Sequence, residues 1–441
     1  MHDKMIKQYF KQAWYLIKQN KLFSGIYIAG TALGISMVMV MAIINHMKTA
    51  NLYPETNRDR TLYLKTIIIT PKDTTLKWHS SGGFSYKSCN MFFLSLKTPK
   101  LVSLEMDPVS KFVSLPNDSY LNRVQVRYVD NHYWDLFSFQ FLFGKPFTEV
   151  DFRSGLPAAV ISESLAKKLY GTIDVIGKYF ECGFKEFRIA GVVRDVSYVL
   201  SGTYAQVWVP YTTTKSYNEE DNYHDGMIGS MRNIYLLAHS ADDFDNIRTE
   251  VNENIRRYNA QSAEWNIDLA GQPDTKREEI NRFWSNVGPD MHKIMLRNLL
   301  LVLLFLLVPA INLSGLNSTR MEQRMSEMGV RKAFGASRKK LFNQIFTENL
   351  LLTFAGGITG LLLSYLFISV SRNWILDLGK QIAETLPEGA TVDFSMSMLF
   401  NFKIFLVVLL VCFAMNLLSA LIPVFRSLRK NITDSLHIRY T

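Results

Sequence analysis

Residues 317–348 read NSTRMEQRMSEMGVRKAFGASRKKLFNQIFTE and lie between two apolar segments, at 294–316 and 349–370. Basic residues crowd this short link: Arg320, Arg324, Arg331, Lys332, Arg338, Lys339 and Lys340. Short loops rich in lysine and arginine stay on the cytoplasmic side of a membrane. The pattern therefore predicts a charged cytoplasmic link between two membrane spans.

The link itself predicts two short helices separated by a break at Gly335. Methionines recur at helical spacing in the first half, and Glu327 lies four residues before Arg331, a spacing that stabilises a helix. Ser337 belongs to the residue types that cap the start of a helix. An ordinary basic loop between spans is the alternative interpretation of the same composition.

Two motifs of this region, EMGVRKAFGA at 327–336 and TENLLLT at 347–353, resemble the signature of the FtsX/MacB superfamily of ABC-transporter permeases. In that family the link holds a coupling helix that docks on a separate ATPase. The resemblance implies a set of ATPase-coupling residues whose role is docking and not catalysis: Glu327, Gly329, Val330, Arg331, Lys332, Ala333, Phe334 and Gly335.

Long apolar segments with basic flanks predict an α-helical membrane protein with four transmembrane helices and a large α+β extracytoplasmic domain between the first and second helices. The predicted order is a cytoplasmic amphipathic helix at 1–21, transmembrane helix 1 at 22–45, the periplasmic core domain at 46–291, transmembrane helix 2 at 294–316, the cytoplasmic coupling link at 317–348, transmembrane helix 3 at 349–370, a short periplasmic loop at 371–402, transmembrane helix 4 at 403–425 and a cytoplasmic tail at 426–441. The first apolar segment is too long for the core of a signal peptide, so we interpret it as an uncleaved span.

Small residues four positions apart occur in two predicted spans, at Gly30, Gly34, Gly356 and Gly360. This spacing lets two helices approach closely, although a membrane helix that merely tolerates glycine would show it equally well. No charged residue lies in the middle of a predicted span. The sequence therefore lacks the proton-relay residues of a secondary transporter.

The outer domain shows strand and helix patterns with clear caps. A strand at 158–161 precedes a helix that Ser162 caps and Gly171 ends. A second strand at 233–238 precedes an amphipathic helix that Ser240 caps. Further predicted elements are strands at 187–193 and 205–209 and a polar loop at 214–230.

Four stretches of the outer domain resemble the MacB-type periplasmic core: WDLFSFQFLFGKPFTEVDF at 134–152, AVISESLAKKLYG at 159–171, DVIGK at 174–178 and FRIAGVVRDV at 187–196. Residues 62–130 and 211–290 resemble the family least. We therefore expect a specific partner to be recognised in these two stretches.

Charge and motifs narrow the possible functions. The net charge of +10 comes from 49 basic and 39 acidic residues, and much of the excess lies beside the apolar segments, which favours lipid and not nucleic acid as partner. The sequence contains no phosphate-binding loop of the form GxxxxGK[ST] and no zinc-site histidine pattern, so we predict neither catalysis nor a metal site in this chain. Cys89 and Cys182 share the outer domain, and their spacing leaves a disulfide open.

The resemblance implies a permease subunit of an ABC transporter in the bacterial inner membrane, with both termini cytoplasmic. Because the sequence begins at the first span, we expect no cofactor in this chain and a separate ATPase subunit that binds ATP and Mg²⁺. The resemblance also implies a second permease, either a copy or a paralogue, and leaves room for a periplasmic adaptor and an outer-membrane channel. Movement of the outer domain, called mechanotransmission in the family, would then serve export or efflux.

An FtsX-like regulator of a periplasmic partner such as a cell-wall hydrolase is the alternative function, and an orphan sensor is a third. The outer domain predicted here is larger than those of FtsX members, which favours the transporter. The intact coupling motif argues against an orphan. The sequence leaves the substrate open among drugs, peptides and lipoproteins.

Overall fold

The computed structural model describes residues 17–116, 120–218, 224–282, 286–323, 337–371, 396–399 and 401–429, together with residues 11, 14, 15, 330 and 334. Their contacts divide them into two compact units. The core domain consists of the described residues of His46–Ile294. The helical unit consists of those within Met1–Asn45, Met295–Ile375 and Met396–Thr441.

The described helices are α1 Lys21–Thr49, α2 Tyr86–Phe92, α3 Tyr133–Leu136, α4 Glu149–Arg153, α5 Glu163–Tyr170, α6 Phe244–Gln261, α7 Lys276–Glu279, α8 Met291–Gln323, α9 Arg338–Val370, α10 Met396–Leu399 and α11 Phe402–Arg429. The described strands are β1 Thr61–Leu64, β2 Ile67–Pro71, β3 Ser80–Phe84, β4 Leu101–Met106, β5 Val109–Ser114, β6 Asn122–Val129, β7 Phe141–Gly144, β8 Ala158–Ser162, β9 Tyr179–Cys182, β10 Lys185–Val193, β11 Val207–Pro210, β12 Ile228–Gly229, β13 Met231–Leu237 and β14 Trp265–Asp268.

Six strands of the core domain pair in a closed ring. The order β11-β8-β10-β9-β5-β6 closes on itself because β6 also pairs in parallel with β11, with Val126 opposite Val207. Residues such as Val124, Ile161 and Phe187 are buried in one apolar core. A closed ring has no free edge strand, so its outer face is what remains for contact with other molecules.

The rest of the sheet continues from β6 through β4 and β13 to β3, β2 and β14. Helix α6 covers this part through the buried side chains of Ile247, Val251 and Ile255. The far edge is closed to a further strand, because the Asn259 side chain bonds to both the N–H and the carbonyl of Ile267 on β14. A further strand could not pair here, because the N–H and the carbonyl of Ile267 are already bonded to Asn259.

Local predictions in the core domain are largely confirmed. Ser162 caps α5 by accepting a hydrogen bond from the Leu165 N–H, and Gly171 ends that helix in the left-handed conformation. Ser240 caps a short 3₁₀ turn that leads into α6, so the cap acts one turn earlier than predicted. The predicted polar loop at 214–230 is only partly a loop, because it contains a 3₁₀ turn and strand β12, which pairs with β3.

Helices α1 and α9 of the helical unit pack in parallel. A β-carbon built on Gly356 would lie 2.8 Å from Cβ of Thr31, and one built on Gly360 would lie 3.0 Å from Cβ of Ile35. Residue numbers thus rise together along both helices. At this closeness only glycine fits, as small-residue packing of membrane helices requires.

Helices α9 and α11 run in opposite directions. The rings of Phe346 and Phe413 lie 5.5 Å apart, whereas Gly357 lies against Leu409. Numbers rise along α9 while they fall along α11. Among the described residues, α1 and the segment Phe342–Val370 are long and apolar enough to cross a membrane, and Phe402–Met415 is a shorter apolar helix.

The two cysteines of the core domain are free and buried, one in α2 and the other in β9. Both belong to the same apolar core. Burial raises the pKa of the Cys89 thiol well above its usual value and that of the Cys182 thiol to about 11. Both thiols therefore stay protonated near neutral pH and serve packing.

Candidate functional site

The last turn of α1, from His46 to Thr49, belongs to the core domain, and a buried arginine bonds to it there. The guanidinium of Arg58 donates from Nη1 to the carbonyl oxygens of Met47 at 2.7 Å and Ala50 at 2.9 Å. Met47 lies in the last turn of α1 and Ala50 directly follows that helix, where carbonyls have no partner within the helix. A cation at this position also interacts favourably with the helix dipole. Arg58 therefore acts as a clamp on the last turn of α1.

Glu55 binds the Arg58 guanidinium and fixes its position. Its carboxylate accepts a bond from Arg58 Nε at 2.7 Å and another from the Thr203 hydroxyl at 3.0 Å, and Lys276 Nζ lies 3.9 Å away. Burial alone would raise the pKa of Glu55. The charges of Arg58 and Lys276 and these hydrogen bonds outweigh burial, so the pKa of Glu55 lies below its usual value. The carboxylate is ionised and fully engaged.

The first strand of the core domain bonds to the segment near its C-terminal end. Tyr63 and Asp274 exchange two backbone hydrogen bonds of 2.8 Å, and Lys276 Nζ lies 4.8 Å from the centre of the Tyr63 ring. Glu279 pairs with Lys276 at 3.1 Å and also with Lys65. We call Glu55, Arg58, Lys65, Lys276 and Glu279 the entry–exit network.

A second buried ion pair lies between the closed ring and the rest of the sheet. Arg127 on β6 pairs with Glu105 on β4, and Glu105 also accepts a bond of 2.6 Å from the Tyr235 hydroxyl. Burial raises the pKa of Glu105, and the Arg127 guanidinium counters that rise. This pair joins the two parts of the sheet.

One loop connects the two sites. Arg127 donates to the carbonyl oxygens of Ser201 and Tyr204, while Thr203 of the same loop donates to Glu55. A β-carbon on Gly202 would lie 3.0 Å from the Glu55 carboxylate, so the loop has no room for a side chain there. A continuous path of buried polar contacts therefore runs from the end of α1 to the centre of the sheet.

This arrangement holds several segments of the core domain in a fixed relation. Its charges are paired, those of Glu55, Arg58, Glu105 and Arg127 are buried, and separating a buried pair costs much free energy. Rigid segments tied in this way move together. Within the part of the chain that the structure describes, no group of three or more His, Cys, Asp or Glu residues could hold a metal ion.

The predicted ATPase-coupling residues are only partly described. Val330 and Phe334 are exposed, Phe334 to 88%, and the Phe334 N–H donates to the Val330 carbonyl at 3.0 Å, as in a helical turn. Ser337 caps α9 by accepting a bond from the Lys340 N–H. The other predicted coupling residues lie outside the described residues: Glu327, Gly329, Arg331, Lys332, Ala333 and Gly335.

The predicted helix-packing glycines occupy two helices. Gly356 and Gly360 lie on α9 against α1. On α1, Gly34 is buried and Gly30 is half-buried. The predicted boundary at 348/349 between link and third span falls inside α9, which is continuous from Arg338 to Val370.

The sequence interpretation missed both buried ion pairs, although a signal exists for one of them. Glu105 is the one charged residue of the strand LVSLEM, whereas Arg127 lies in NRVQVRYV at the alternate positions that also hold Arg123 and Gln125. A carboxylate in a largely apolar strand indicates a buried partner, but the sequence does not show that Arg127 is that partner. Glu55 and Arg58 lie in a polar segment and carry no such signal.

Two family models match the chain. The MacB-like periplasmic core domain matches residues 24–254, and the FtsX-like permease C-terminal domain matches residues 299–432. The chain therefore belongs to the MacB/FtsX family of ABC-transporter permeases, whose members are membrane proteins. The core-domain model runs through 62–130 and most of 211–290, the two stretches whose motifs resemble the family least.

Individual relatives are distant. The chain is 25% identical to "Uncharacterized ABC transporter permease YknZ" of Bacillus subtilis over 54% of this chain and 55% of the relative. It is 24% identical to "Macrolide export ATP-binding/permease protein MacB" of Pasteurella multocida over 56% of this chain and 36% of the relative. The alignments thus span about half and about a third of these relatives.

Solved structures resemble the chain only weakly. The extracellular domain of YknZ from Gram-positive bacteria has a TM-score of 0.34 at 18% identity. The match covers 47% of this chain and 99% of that domain. A domain of a putative permease from Porphyromonas gingivalis has a TM-score of 0.35 at 18% identity, with coverage of 50% and 93%.

Proposed function

We propose that this chain is the membrane subunit of an ABC transporter, in which a separate ATPase subunit binds ATP and Mg²⁺ and drives movement of the core domain. The ATPase docks on the link between α8 and α9. The movement passes along the membrane helices to the core domain, which lies outside the membrane and acts on a substrate there. The substrate need not cross the bilayer between the helices.

The exposure of Phe334 is the observation that carries the docking step. A phenylalanine in water on a helical turn costs free energy, and a few apolar anchors of this kind supply most of the energy of an interface. Val330, one turn earlier, is exposed as well. The alternative in which Phe334 packs into the chain's own helices is not supported by this exposure.

The packing directions of the helices support the topology. Parallel helices that both cross a bilayer need an odd number of crossings between them. The parallel pair α1 and α9 thus favours one crossing by α8, and the antiparallel pair α9 and α11 favours a fourth crossing. Four crossings would keep both termini and the link on the basic, cytoplasmic side and the core domain on the other.

The polar path of the core domain supports the transmission step. Arg58 clamps the last turn of α1, and the entry–exit network ties this turn to the segment that precedes α8. A displacement of the end of α1 or of the start of α8 would therefore disturb the same paired charges. The loop at 201–204 bonds to both Glu55 and Arg127, so it would transmit this disturbance to the sheet.

Co-purification of the ATPase subunit with the full chain tests the docking step. Phe334→Ala should leave membrane insertion unchanged and reduce ATPase capture by about tenfold or more, the loss typical of a central anchor. Leu156→Ala, an exposed apolar residue of the core domain, is the matched control. Normal capture by Phe334→Ala would contradict the assignment of this link.

Cysteine labelling in intact cells tests the topology. An impermeant reagent should label Asn222→Cys in the core domain and leave Ser326→Cys in the link unlabelled until the membrane is opened. Labelling of Ser326→Cys from outside would overturn the proposed orientation.

A further inference from the structure

Helix α9 carries one charged residue within its apolar segment, and that residue is buried. The segment from Phe342 to Val370 is long and apolar enough to cross a membrane, and Glu348 is its single Asp, Glu, Lys or Arg residue. Glu348 is only 2% exposed. A carboxylate in a membrane helix is costly unless it faces the interior of the protein, so it is a candidate functional residue.

The buried position of Glu348 belongs to a line along α9. Buried residues recur every fourth position, at Gln344, Glu348, Leu352, Gly356 and Gly360. Residues four apart lie above one another on a helix. Large apolar side chains on the other side of α9 are exposed, at Leu350, Phe354 and Ile358. Glu348 therefore lies on the face of α9 that packs within the protein.

Helix α1 packs along this line. Tyr27 shares a buried cluster with Leu352, and a β-carbon built on Gly356 or Gly360 would meet Thr31 or Ile35 of α1. These three contacts join residues separated by the same interval in the chain, so the register of the two helices is fixed. Three residues earlier, the same register sets Ser24 beside Asn349, and both are buried. Glu348 thus lies at the first turns of the contact between α1 and α9.

A buried charge at this place restricts the rotation of α9 about its axis. The other residues of the segment Phe342–Val370 are uncharged, so turning the helix would largely exchange one uncharged face for another. The same rotation would carry the Glu348 carboxylate towards lipid, where a charge is unfavourable. The glycine contacts hold the two helices close together further along. Glu348 acts where α9 leaves the link.

The two ends of this helix pair connect the link with the core domain. Helix α9 is continuous from the cap at Ser337 in the link to Val370, and the last turn of α1 belongs to the core domain, where Arg58 bonds to it. Helix α8 also joins link and core domain, but Leu306 is its one buried residue among the side chains that the structure describes. The packed route therefore runs through α9 and α1.

We propose that Glu348 is a positioning residue that fixes the rotation of α9 against α1, so that a displacement of the link reaches the core domain through α1. The inference rests on the proposed coupling to an ATPase and adds the helix pair and the residue on which that coupling depends. Glu348 binds neither ATP nor substrate in this role. Its charge keeps one face of α9 against α1 while the link moves.

Disulfide formation between Ser24→Cys and Asn349→Cys tests the positioning role in the full chain in its membrane, without the ATPase. The disulfide should form readily when Glu348 is present. It should form about tenfold more slowly with Glu348→Met, which is apolar and similar in length, and about threefold more slowly with Glu348→Gln, because an amide is less unfavourable in lipid than a charge. Thr353→Val, a buried and uncharged position of the same helix, is the control and should link at the original rate.

Hydrogen exchange of the complex of the full chain with its ATPase tests the transmission step. Trapping the ATP-bound state should change the exchange of the link at 317–337 and of residues 46–60, which hold the last turn of α1 and its clamp. In Glu348→Met the change in the link should remain, whereas the change at 46–60 should be largely lost. The control Thr353→Val should show both changes.

The possible outcomes separate this inference from the proposed function. Disulfide formation at the original rate in Glu348→Met would overturn the positioning role, and Glu348→Gln decides in the same way if the methionine variant does not accumulate in the membrane. Equal slowing by Thr353→Val would show that any substitution loosens the contact, which also overturns it. A normal change at 46–60 in Glu348→Met would exclude transmission through α1. An unchanged link in the unaltered chain would instead contradict the proposed coupling and leave the disulfide result valid.

Discussion

The entry–exit network and the β9–β10 hairpin treat charge and apolar surface in opposite ways. In the network, Glu55 and Arg58 are buried and bonded to each other and to backbone carbonyls. In the hairpin, Glu181 and Glu186 face each other in solvent beside the exposed Phe184. One region satisfies its charges through bonds within the protein, and the other leaves its charges to solvent.

The difference indicates two kinds of role within one domain. Satisfied buried charges hold segments in a fixed relation, because any displacement leaves a charge without a partner in a medium of low dielectric. Exposed charges are hydrated, so they place little constraint on the positions of the segments that carry them. The same domain thus has a region in which paired charges hold segments together and a region in which charges are left to solvent.

The largest expected effect concerns the centre of the polar path. Arg127→Met should lower the free energy of unfolding by about 3–5 kcal/mol, because Glu105 would remain buried without its partner. Chemical denaturation of the core domain measures this loss. The double variant Arg127→Met with Glu105→Leu should recover at least half of it, and a double variant as unstable as the single one would show that packing dominates.

A smaller loss is expected at the clamp. Arg58→Ala should cost about 2–3 kcal/mol, since Glu55 keeps Thr203 and Lys276 while two carbonyls of α1 lose their donor. Arg58→Lys, which cannot reach all three acceptors, should lie in between. In the full transporter Arg58→Ala should keep ATPase capture but uncouple hydrolysis from transport, and equal coupling in the variant and wild type would contradict a role in transmission.

The contribution of the entry–exit network to the free energy of unfolding should decrease at acid pH. Burial would raise the pKa of Glu279, but Lys276 and Lys65 outweigh it and hold that pKa well below its usual value. Such a carboxylate stabilises the folded state above its unfolded pKa of about 4.3, and the stabilisation is lost as the pH falls below that value. Glu279→Gln should therefore be less stable at pH 7 and lose less stability than wild type between pH 4.5 and 2.5. Parallel curves for the two proteins would refute this.

The smallest effect should have the opposite sign. Glu186→Lys converts the like-charged pair with Glu181 into an attractive one, and the unfolding midpoint should rise by about 1–3 °C at low salt. High salt should remove the gain, because exposed charges are screened. A destabilised variant would mean that the hairpin, like the network, depends on its charges for folding.

The sequence by itself determined the family, the alternation of apolar and soluble segments, and several local elements of the core domain. These follow from short-range rules: the periodicity of apolar residues, the cap at Ser162 and the left-handed stop at Gly171. The cap of α9 at Ser337 was predictable for the same reason. The hairpin at Gly183 was not predicted, because Gly-Phe lacks the turn signal that Asn-Gly would give.

Only the tertiary structure decided which charges meet. Glu55 and Thr203, 148 residues apart in the chain, bond to each other, and no local pattern links them. The closure of the ring through β6 and β11 is likewise a long-range pairing. Local propensities determine short elements. Contacts between residues far apart in sequence depend on the packing of the whole domain, and this packing forms the buried polar path.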